Sequence, residues 1–173
     1  MTFSLYDATI PSYRQILGSI TALVDKAEAF CAEQGIAPED ILETRLAPDM
    51  LPFAFQVRAT AAHSFGAIES VRAGVYVPDR SKLPESFAAL KAKATDALAG
   101  LEGVTEAEME TFMGRDMRLE VGTFRVDFTA DKFLLSFSQP NFYFHAATTY
   151  DILRWKGLTI GKRDFIGAWR NIA

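Results

Sequence analysis

Cysteine is nearly absent from this 173-residue chain, and the single thiol, Cys31, excludes an internal disulfide framework. Basic residues are too few for a nucleic-acid-binding surface, since 18 lysines and arginines stand against 22 acidic residues, for a net charge of −4. No apolar run approaches the roughly 18 residues of a membrane span, and residues 1–7 lack the basic start and cleavage site of a signal peptide. We therefore expect a cytoplasmic protein with no nucleic acid and no membrane among its partners.

Histidine is also scarce, because His63 and His145 are the only two. This count excludes a site built from three histidines of one chain. Glycine-rich phosphate loops, nucleophile elbows, Cys-x-x-Cys pairs and His-Glu-x-x-His motifs are missing as well, which excludes the enzyme classes that these motifs identify. Apolar residues are abundant: they make up 49% of the chain, with 14 phenylalanines. The chain can therefore bury a large core, and we expect one domain over residues 1–173.

Apolar residues recur at intervals of three and four over four segments, which predicts four amphipathic helices. The segments are residues 9–34, 50–72, 83–101 and 130–156. We expect Asp7 or Thr9 to cap the first helix, Asp49 the second and Thr129 the fourth. Cys31 falls on the apolar stripe of the first helix, so it is expected to be a small core residue.

Proline divides the last third of the chain. Pro140 removes one amide donor from the fourth segment, so we expect a kink or break near Ser138 and Gln139, with Pro140 starting a fresh turn. The final segment, 161–173, is too short for another long helix. Its apolar side chains, among them Phe165 and Trp169, predict a short turn that anchors the end of the chain.

Between residues 116 and 128 the apolar period changes to two, which predicts the only strands. Gly122 and Thr123 form the expected two-residue turn. The predicted pairs are Val121 with Phe124, Leu119 with Val126, and Met117 with Phe128. All six side chains then lie on one face. The sequence thus predicts an all-α four-helix bundle with a small β-hairpin before the last long helix.

Two lines of polar side chains run along otherwise apolar helix faces. They are Gln56, Thr60 and His63 on the second predicted helix, and Asn141, His145 and Thr149 on the fourth. Two such lines on facing helices would form a pocket. Structural roles are the alternative: His145 can be a core histidine that donates to a carbonyl, and buried amides such as Gln56 and Asn141 often hold a hydrogen-bond network. His63 is expected to be a partly exposed surface residue.

Four stretches resemble a bacterial domain of unknown function within the DinB/YfiT-like superfamily of four-helix bundles, which includes metalloenzymes. They are residues 4–8 (SLYDA), 46–52 (LAPDMLP), 140–145 (PNFYFH) and 161–165 (GKRDF), so the resemblance touches nearly the whole chain. It implies a pocket where metal-binding members hold a divalent metal with one histidine of helix two and a His-x-x-x-His pair of helix four. It also implies a homodimer.

Transferring these ligand positions residue by residue gives Gln56, Asn141 and His145, so one histidine of three is retained. Amide oxygens are weak, neutral ligands for zinc or nickel. The resemblance therefore implies a degenerate metal pocket that binds a small molecule or acts structurally, with no metal or other cofactor expected. A bound metal would have His145, Gln56 and Asn141 as ligands, with His63 as a further candidate.

Two other functions remain open. The first is a divalent-metal-dependent hydrolase or thiol transferase of the DinB/YfiT-like type, with zinc or nickel at these residues. The second is a dimerisation module that uses the aromatic hairpin or a helix face. In each case we expect Gln56, Asn141 and His145 to lie within direct or water-bridged reach. His63 lies two helical turns beyond Gln56, about 10 Å along a continuous helix. This is too far for it to share an ion with His145 unless the second helix is displaced or a dimer mate supplies a ligand.

Overall fold

The computed structural model describes residues 3–171, which are mostly helical with one three-stranded sheet. In chain order the elements are α1 (Leu5–Gln34), α2 (Glu39–Leu42), α3 (Phe53–Ala62), α4 (Phe65–Ala73), β1 (Val75–Tyr76), α5 (Phe87–Glu102), α6 (Glu106–Glu110), β2 (Asp116–Val121), β3 (Phe124–Thr129), α7 (Ala130–Lys132), a π-helical segment (Phe133–Ser138), α8 (Gln139–Trp155) and α9 (Lys162–Ile166). Within this described part, no helix is both long and apolar enough to cross a membrane. Residues 1–2, and residues 172–173 of the predicted anchoring segment 161–173, lie outside the described part.

Helix α1 begins four residues earlier than predicted, because Ser4 and not Asp7 or Thr9 is its N-cap. The Ser4 hydroxyl accepts from the Asp7 N–H at 3.1 Å, and the Asp7 carboxylate accepts from the Ser4 N–H at 3.0 Å. This reciprocal capping box satisfies two amides that a helix start otherwise leaves free. The helix ends before Gly35, which has a φ of 65° and forms the left-handed cap. Cys31 is buried in the core, as predicted.

The second predicted helix, residues 50–72, is in fact two helices. Pro52 is the N-cap residue of α3, and Asp49 does not cap it. The break falls at Ser64, which has φ −111° and ψ −96°. The Ser64 hydroxyl donates towards the carbonyls of Thr60 and Ala61, a local bonding that competes with the regular helix. The break separates α3 from α4.

The long helices surround one apolar core. Helix α1 packs against α5 and α8, and α3 packs against the same two helices. The fully buried side chains between them include Leu17 and Ile20 of α1, Val57 of α3, Leu90 of α5 and Ile152 of α8. Burying each such side chain stabilises the fold by about 1.5 to 3 kcal/mol. This arrangement places the polar faces of α3 and α8 beside each other.

The predicted hairpin is confirmed with its register, since β2 and β3 pair antiparallel with Val121 opposite Phe124 and Met117 opposite Phe128. Gly122 has a φ of 62° in the turn. The sequence analysis missed β1, which pairs parallel to β2 and brings Tyr76 opposite Leu119. A two-residue strand is too short to show a period. The description as all-α with a hairpin is therefore incomplete.

The fourth predicted helix is divided into α7, the π-helical segment and α8. Pro140 lies in the first turn of α8 and the π-helical turns end at Ser138, so the predicted interruption takes the form of a widened helix. Thr129 occupies the N-cap position of α7, but its hydroxyl makes no capping bond. Helix α5, the third predicted helix, begins at Phe87 rather than near residue 83, because the Ser86 hydroxyl caps it.

The final segment lies on α1, through α9. The Gln15 amide donates to the Ile166 carbonyl at 2.9 Å, and the ring of Phe165 packs edge-on against Tyr150 with 6.1 Å between centroids. Phe165 thus anchors the segment as predicted. Trp169 does not, because its side chain is 67% exposed.

Candidate functional site

The two predicted polar lines meet at Gln56 and His145. The His145 Nδ1 lies 2.7 Å from the Gln56 Oε1, and the Gln56 Nε2 donates to the Leu51 carbonyl at 2.7 Å. Because Oε1 is an acceptor only, Nδ1 of His145 carries the proton and donates it. In a neutral imidazole the other nitrogen, Nε2, is then an acceptor. Gln56 therefore determines both the tautomer and the orientation of His145.

Asn141, the third matched position, bonds elsewhere. Its amide Nδ2 donates to the Phe137 carbonyl one turn back, at 2.7 Å. Within residues 3–171, no hydrogen bond joins Asn141 to Gln56 or His145. Its water-bridged reach to them stays a prediction.

Thr60 and Thr149 lie one turn beyond the pair and are fully buried. The Thr60 hydroxyl donates to the Gln56 carbonyl and the Thr149 hydroxyl donates to the His145 carbonyl, each at 2.9 Å. Such bonds along one helix use up the hydroxyl proton. Both threonines thus support the backbone of the pair instead of presenting a donor to a ligand.

His63 is buried, with 6% exposure, so the expectation of a surface residue is wrong. Its Nδ1 lies 3.3 Å from the Ser138 Oγ, and its Nε2 lies 3.3 Å from the Tyr76 hydroxyl. The Ser138 hydroxyl donates to the His63 carbonyl at 3.1 Å, which leaves Oγ to accept from Nδ1–H. Nε2 then accepts from Tyr76. Both ring nitrogens of His63 are therefore satisfied by protein groups.

The two histidine rings lie stacked, with 5.7 Å between centroids and 13° between planes. The two rings therefore lie side by side, although His63 is two helical turns beyond Gln56 along α3. Burial lowers the pKa of His145 to about 4. Burial, followed by the neighbouring His145, lowers the pKa of His63 to about 3. Both rings are neutral at pH 7.

Aromatic rings surround His145 on its other sides. Phe55 and Phe144 meet it edge-on, with centroid distances of 5.6 and 5.3 Å. His145 is half-buried and Phe144 is 57% exposed, so this end of the pair reaches the surface. No group in residues 3–171 hydrogen-bonds to the His145 Nε2. The arrangement offers one neutral acceptor inside an aromatic frame.

The residues do not fit a divalent metal. Gln56 uses Oε1 for His145, and His63 uses both nitrogens. Asn141 uses Nδ2 for the backbone, which leaves its weakly ligating oxygen. His145 Nε2 is thus the one nitrogen ligand among these four side chains with no such partner. In the chain from residue 3 to residue 171, no three histidine, cysteine, aspartate or glutamate side chains gather as metal ligands would.

Sequence reasoning missed three residues of this site, namely Phe55, Tyr76 and Ser138. Tyr76 reaches His63 only through the pairing of β1 with β2, a long-range contact without a local signal. The sequence carries only weak signals of the helix interruptions that shape this site. Ser64, a residue type favoured at helix starts, marks the break after His63, and Pro140 marks the interruption that includes Ser138.

The structural comparison identifies the class of protein. The chain is similar to the crystal structure of a DinB family member protein from Shewanella denitrificans, with a TM-score of 0.79 and 27% sequence identity. The match covers 98% of this chain and 95% of that chain. The protein is therefore DinB-like. Within that class, the chain belongs to the family described as Domain of unknown function (DUF1993), whose profile matches residues 5–166. No curated protein matches the chain.

Proposed function

We propose that this protein binds a small molecule at Gln56 and His145, without a metal. The hydrogen bond between Gln56 Oε1 and His145 Nδ1 is the observation that carries the proposal. Gln56 and His145 stand where the family resemblance puts metal ligands. The hydrogen bond between them orients His145 and leaves its Nε2 unprotonated and without a protein partner, so that this nitrogen can accept a hydrogen bond from a ligand. The amide thus does for His145 what an outer-shell hydrogen-bonding partner does for a metal-bound histidine.

The expected ligand is neutral and partly aromatic or apolar, with one hydroxyl or N–H donor. The donor would bond to His145 Nε2, which stays neutral at pH 7 because burial lowers the pKa of His145 to about 4. The apolar part would lie against Phe55 and Phe144, which flank the ring. A cation would find no carboxylate among these contacts.

We also infer that α1, α3 with α4, α5 and α8 are the four helices of a DinB-type bundle. The contacts of α1 and α3 with the same two neighbours support this arrangement. The pocket would then lie between α3 and α8, at the positions where the family resemblance puts metal ligands.

The test uses phenol as a probe, because phenol combines one hydroxyl donor with an aromatic ring. Protein labelled with ¹⁵N in its histidine rings should show an unprotonated Nε2 for His145, and this resonance should shift on phenol addition. The variant Gln56→Ala should lose the single tautomer and weaken the phenol response. Gln34→Ala, a change of an exposed glutamine at the end of α1, is the matched control and should behave as wild type. A His145 resonance that phenol does not move would overturn the proposal.

The metal-dependent hydrolase or thiol transferase is tested separately. Elemental analysis should find no stoichiometric zinc or nickel in protein purified without a histidine tag or chelator. Near-stoichiometric metal that is lost in His145→Ala would overturn the metal-free proposal and favour the enzyme alternative, with His145, Gln56 and Asn141 as ligands and His63 as a further candidate.

A further inference from the structure

Strand β3 forms an edge of the three-stranded sheet, because the strand order is β1-β2-β3. Residues 124–128 of this strand read Phe-Arg-Val-Asp-Phe. The segment has Val126 at its centre, a phenylalanine at each end, and opposite charges on either side of the valine. A strand with this pattern is complementary to an antiparallel copy of itself.

The backbone groups of Arg125 and Asp127 face outward from the sheet. The Arg118 N–H donates to the Gly74 carbonyl on the β1 side, at 3.1 Å, so Arg118 does not exchange bonds with Asp127, its partner on β3. In an antiparallel pair, bonded and non-bonded residue pairs alternate. Arg125 and Asp127 therefore both present a free N–H and a free C=O at the edge. Among residues 3–171, neither backbone bonds to a group outside the sheet.

Charges alternate across the face that carries these side chains. Arg118 lies opposite Asp127, and Glu120 lies opposite Arg125. Along β3, the Arg125 guanidinium pairs with the Asp127 carboxylate at 2.8 Å, and along β2 Arg118 pairs with Glu120 at 3.2 Å. A further strand that continues this alternation must place an acidic residue beside Arg125 and a basic residue beside Asp127.

A second copy of β3 meets this requirement in one register. Three two-fold arrangements place Arg125 or Asp127 of one copy opposite Arg125 or Asp127 of the other. Pairing Arg125 with Arg125, or Asp127 with Asp127, opposes like charges, which destabilises a strand pair. Pairing Arg125 of each copy with Asp127 of the other opposes unlike charges twice. The same register forms four backbone hydrogen bonds and continues the alternation over four strands.

The other face of the strand fits the same register. Phe124 has 60% of its surface exposed although it belongs to the apolar face of the hairpin. Opposite it would lie Phe128 of the second copy, an aromatic pair that stabilises neighbouring strands. Charged residues on an edge strand normally prevent edge-to-edge association. Here they disfavour the two neighbouring registers, which oppose like charges, and favour the register that opposes unlike charges.

We propose that two copies of this chain associate through β3, antiparallel about a two-fold axis at Val126, to form a continuous six-stranded sheet. The two copies then contact each other by strand addition rather than through a helix face. The proposal is independent of the pocket at Gln56 and His145.

Charge reversal tests the register directly. The variants Asp127→Arg and Arg125→Asp each oppose like charges in their own homodimer, so each should dissociate with a constant raised about tenfold or more. Mixed together, the two variants place arginine opposite aspartate at both pairs, and a heterodimer should form. Analytical ultracentrifugation over a wide concentration range measures the association of each variant alone and of their mixture. Circular dichroism checks that each variant is folded.

Lys93→Asp, a reversal on the exposed face of α5, is the matched control and should leave the wild-type dimer unchanged. A wild-type protein that stays monomeric would overturn the proposal. So would a dimer that survives both reversals, because its interface would lie elsewhere, and so would two monomeric variants that fail to form a heterodimer.

Discussion

At the residue scale, the two histidines of this chain have different environments although their rings are stacked. His63 is enclosed by Ser138 and Tyr76, which satisfy both of its nitrogens. His145 has one nitrogen bonded to Gln56 and one left for a ligand. Neutral imidazole suits both roles, since protonating both rings would place two positive charges side by side in a poorly solvated site.

The free energy of unfolding should therefore fall as the pH is lowered from 7 to 5. Unfolded histidines take up protons below about pH 6.5, whereas the folded ones, with pKa values of about 3 and about 4, do not. Protons thus favour the unfolded state, with a slope that approaches about 1.4 kcal/mol per pH unit for each histidine. Urea unfolding at several pH values measures this slope.

The variant His145→Gln provides the comparison, because glutamine can still bond to Gln56 but does not titrate. With one histidine left, the part of the slope due to histidine should be halved between pH 6 and 5. Carboxylates whose pKa values are lowered in the fold, such as Asp164 and Glu108, contribute equally to both proteins. An unchanged slope would contradict the assignment of a lowered pKa to His145.

At the scale of elements, two irregular helix segments meet. The break after α3 and the π-helical segment before α8 lie next to each other, since the Ser138 hydroxyl donates to the His63 carbonyl at 3.1 Å. That carbonyl belongs to the C-cap residue of α3, where backbone acceptors lose their helical partners. The π-helical segment thus supplies a donor for an acceptor at the end of α3. The same break directs α4 against α5.

Gly100→Ala should destabilise the protein, because α4 approaches α5 at this residue. A Cβ at position 100 would overlap the ring of Phe65. Overpacking of this kind costs about 1 to 3 kcal/mol, and replacing a helical glycine regains only about 0.5 to 1 kcal/mol. Thermal unfolding followed by circular dichroism should show a lower Tm.

The control is Gly103→Ala, three residues later. A Cβ at this position meets nothing closer than the Gly100 carbonyl oxygen at 3.7 Å, and the φ of −82° suits alanine. This variant should keep the wild-type Tm or raise it slightly. Equal losses in the two variants would show that the contact with Phe65 is not the cause.

At the scale of the whole molecule, the packing of α3 beside α8 determines what the site can bind. Helix α3 supplies Gln56 and ends at His63, and α8 supplies Asn141 and His145. The strands and the π-helical segment then add Tyr76 and Ser138, which use the nitrogens of His63. At the positions where the family resemblance puts metal ligands, Gln56 Oε1 and His145 Nδ1 are thus engaged with each other, and both nitrogens of the neighbouring His63 are engaged as well.

Zinc or nickel should therefore raise the Tm very little. A metal that bound only the native state at 100 times its Kd would stabilise it by about 2.7 kcal/mol, which for a chain of this size is a rise of about 5 to 11 °C. Differential scanning fluorimetry with and without zinc measures the rise, with His145→Gln as the control. A rise of several degrees that disappears in the control would contradict this prediction.

The sequence by itself determined the features that depend on neighbours along the chain. The intervals between apolar residues located the long helices, and alternation around Gly122 predicted the register of the hairpin. The spacing of polar residues, together with the family resemblance, selected Gln56 and His145. Periodicity reports these features because side chains three, four or two residues apart share a face whatever the rest of the molecule does.

Only the tertiary structure decided which groups of the site are free. The helix break after His63, the pairing of β1 with β2 and the π-helical turns are all stabilised by contacts between residues far apart in the chain. These contacts bury His63, bring Tyr76 to it and leave Nε2 of His145 without a partner. Local propensity carries no information about such partners, because the free energy of a buried polar group depends on what is packed around it.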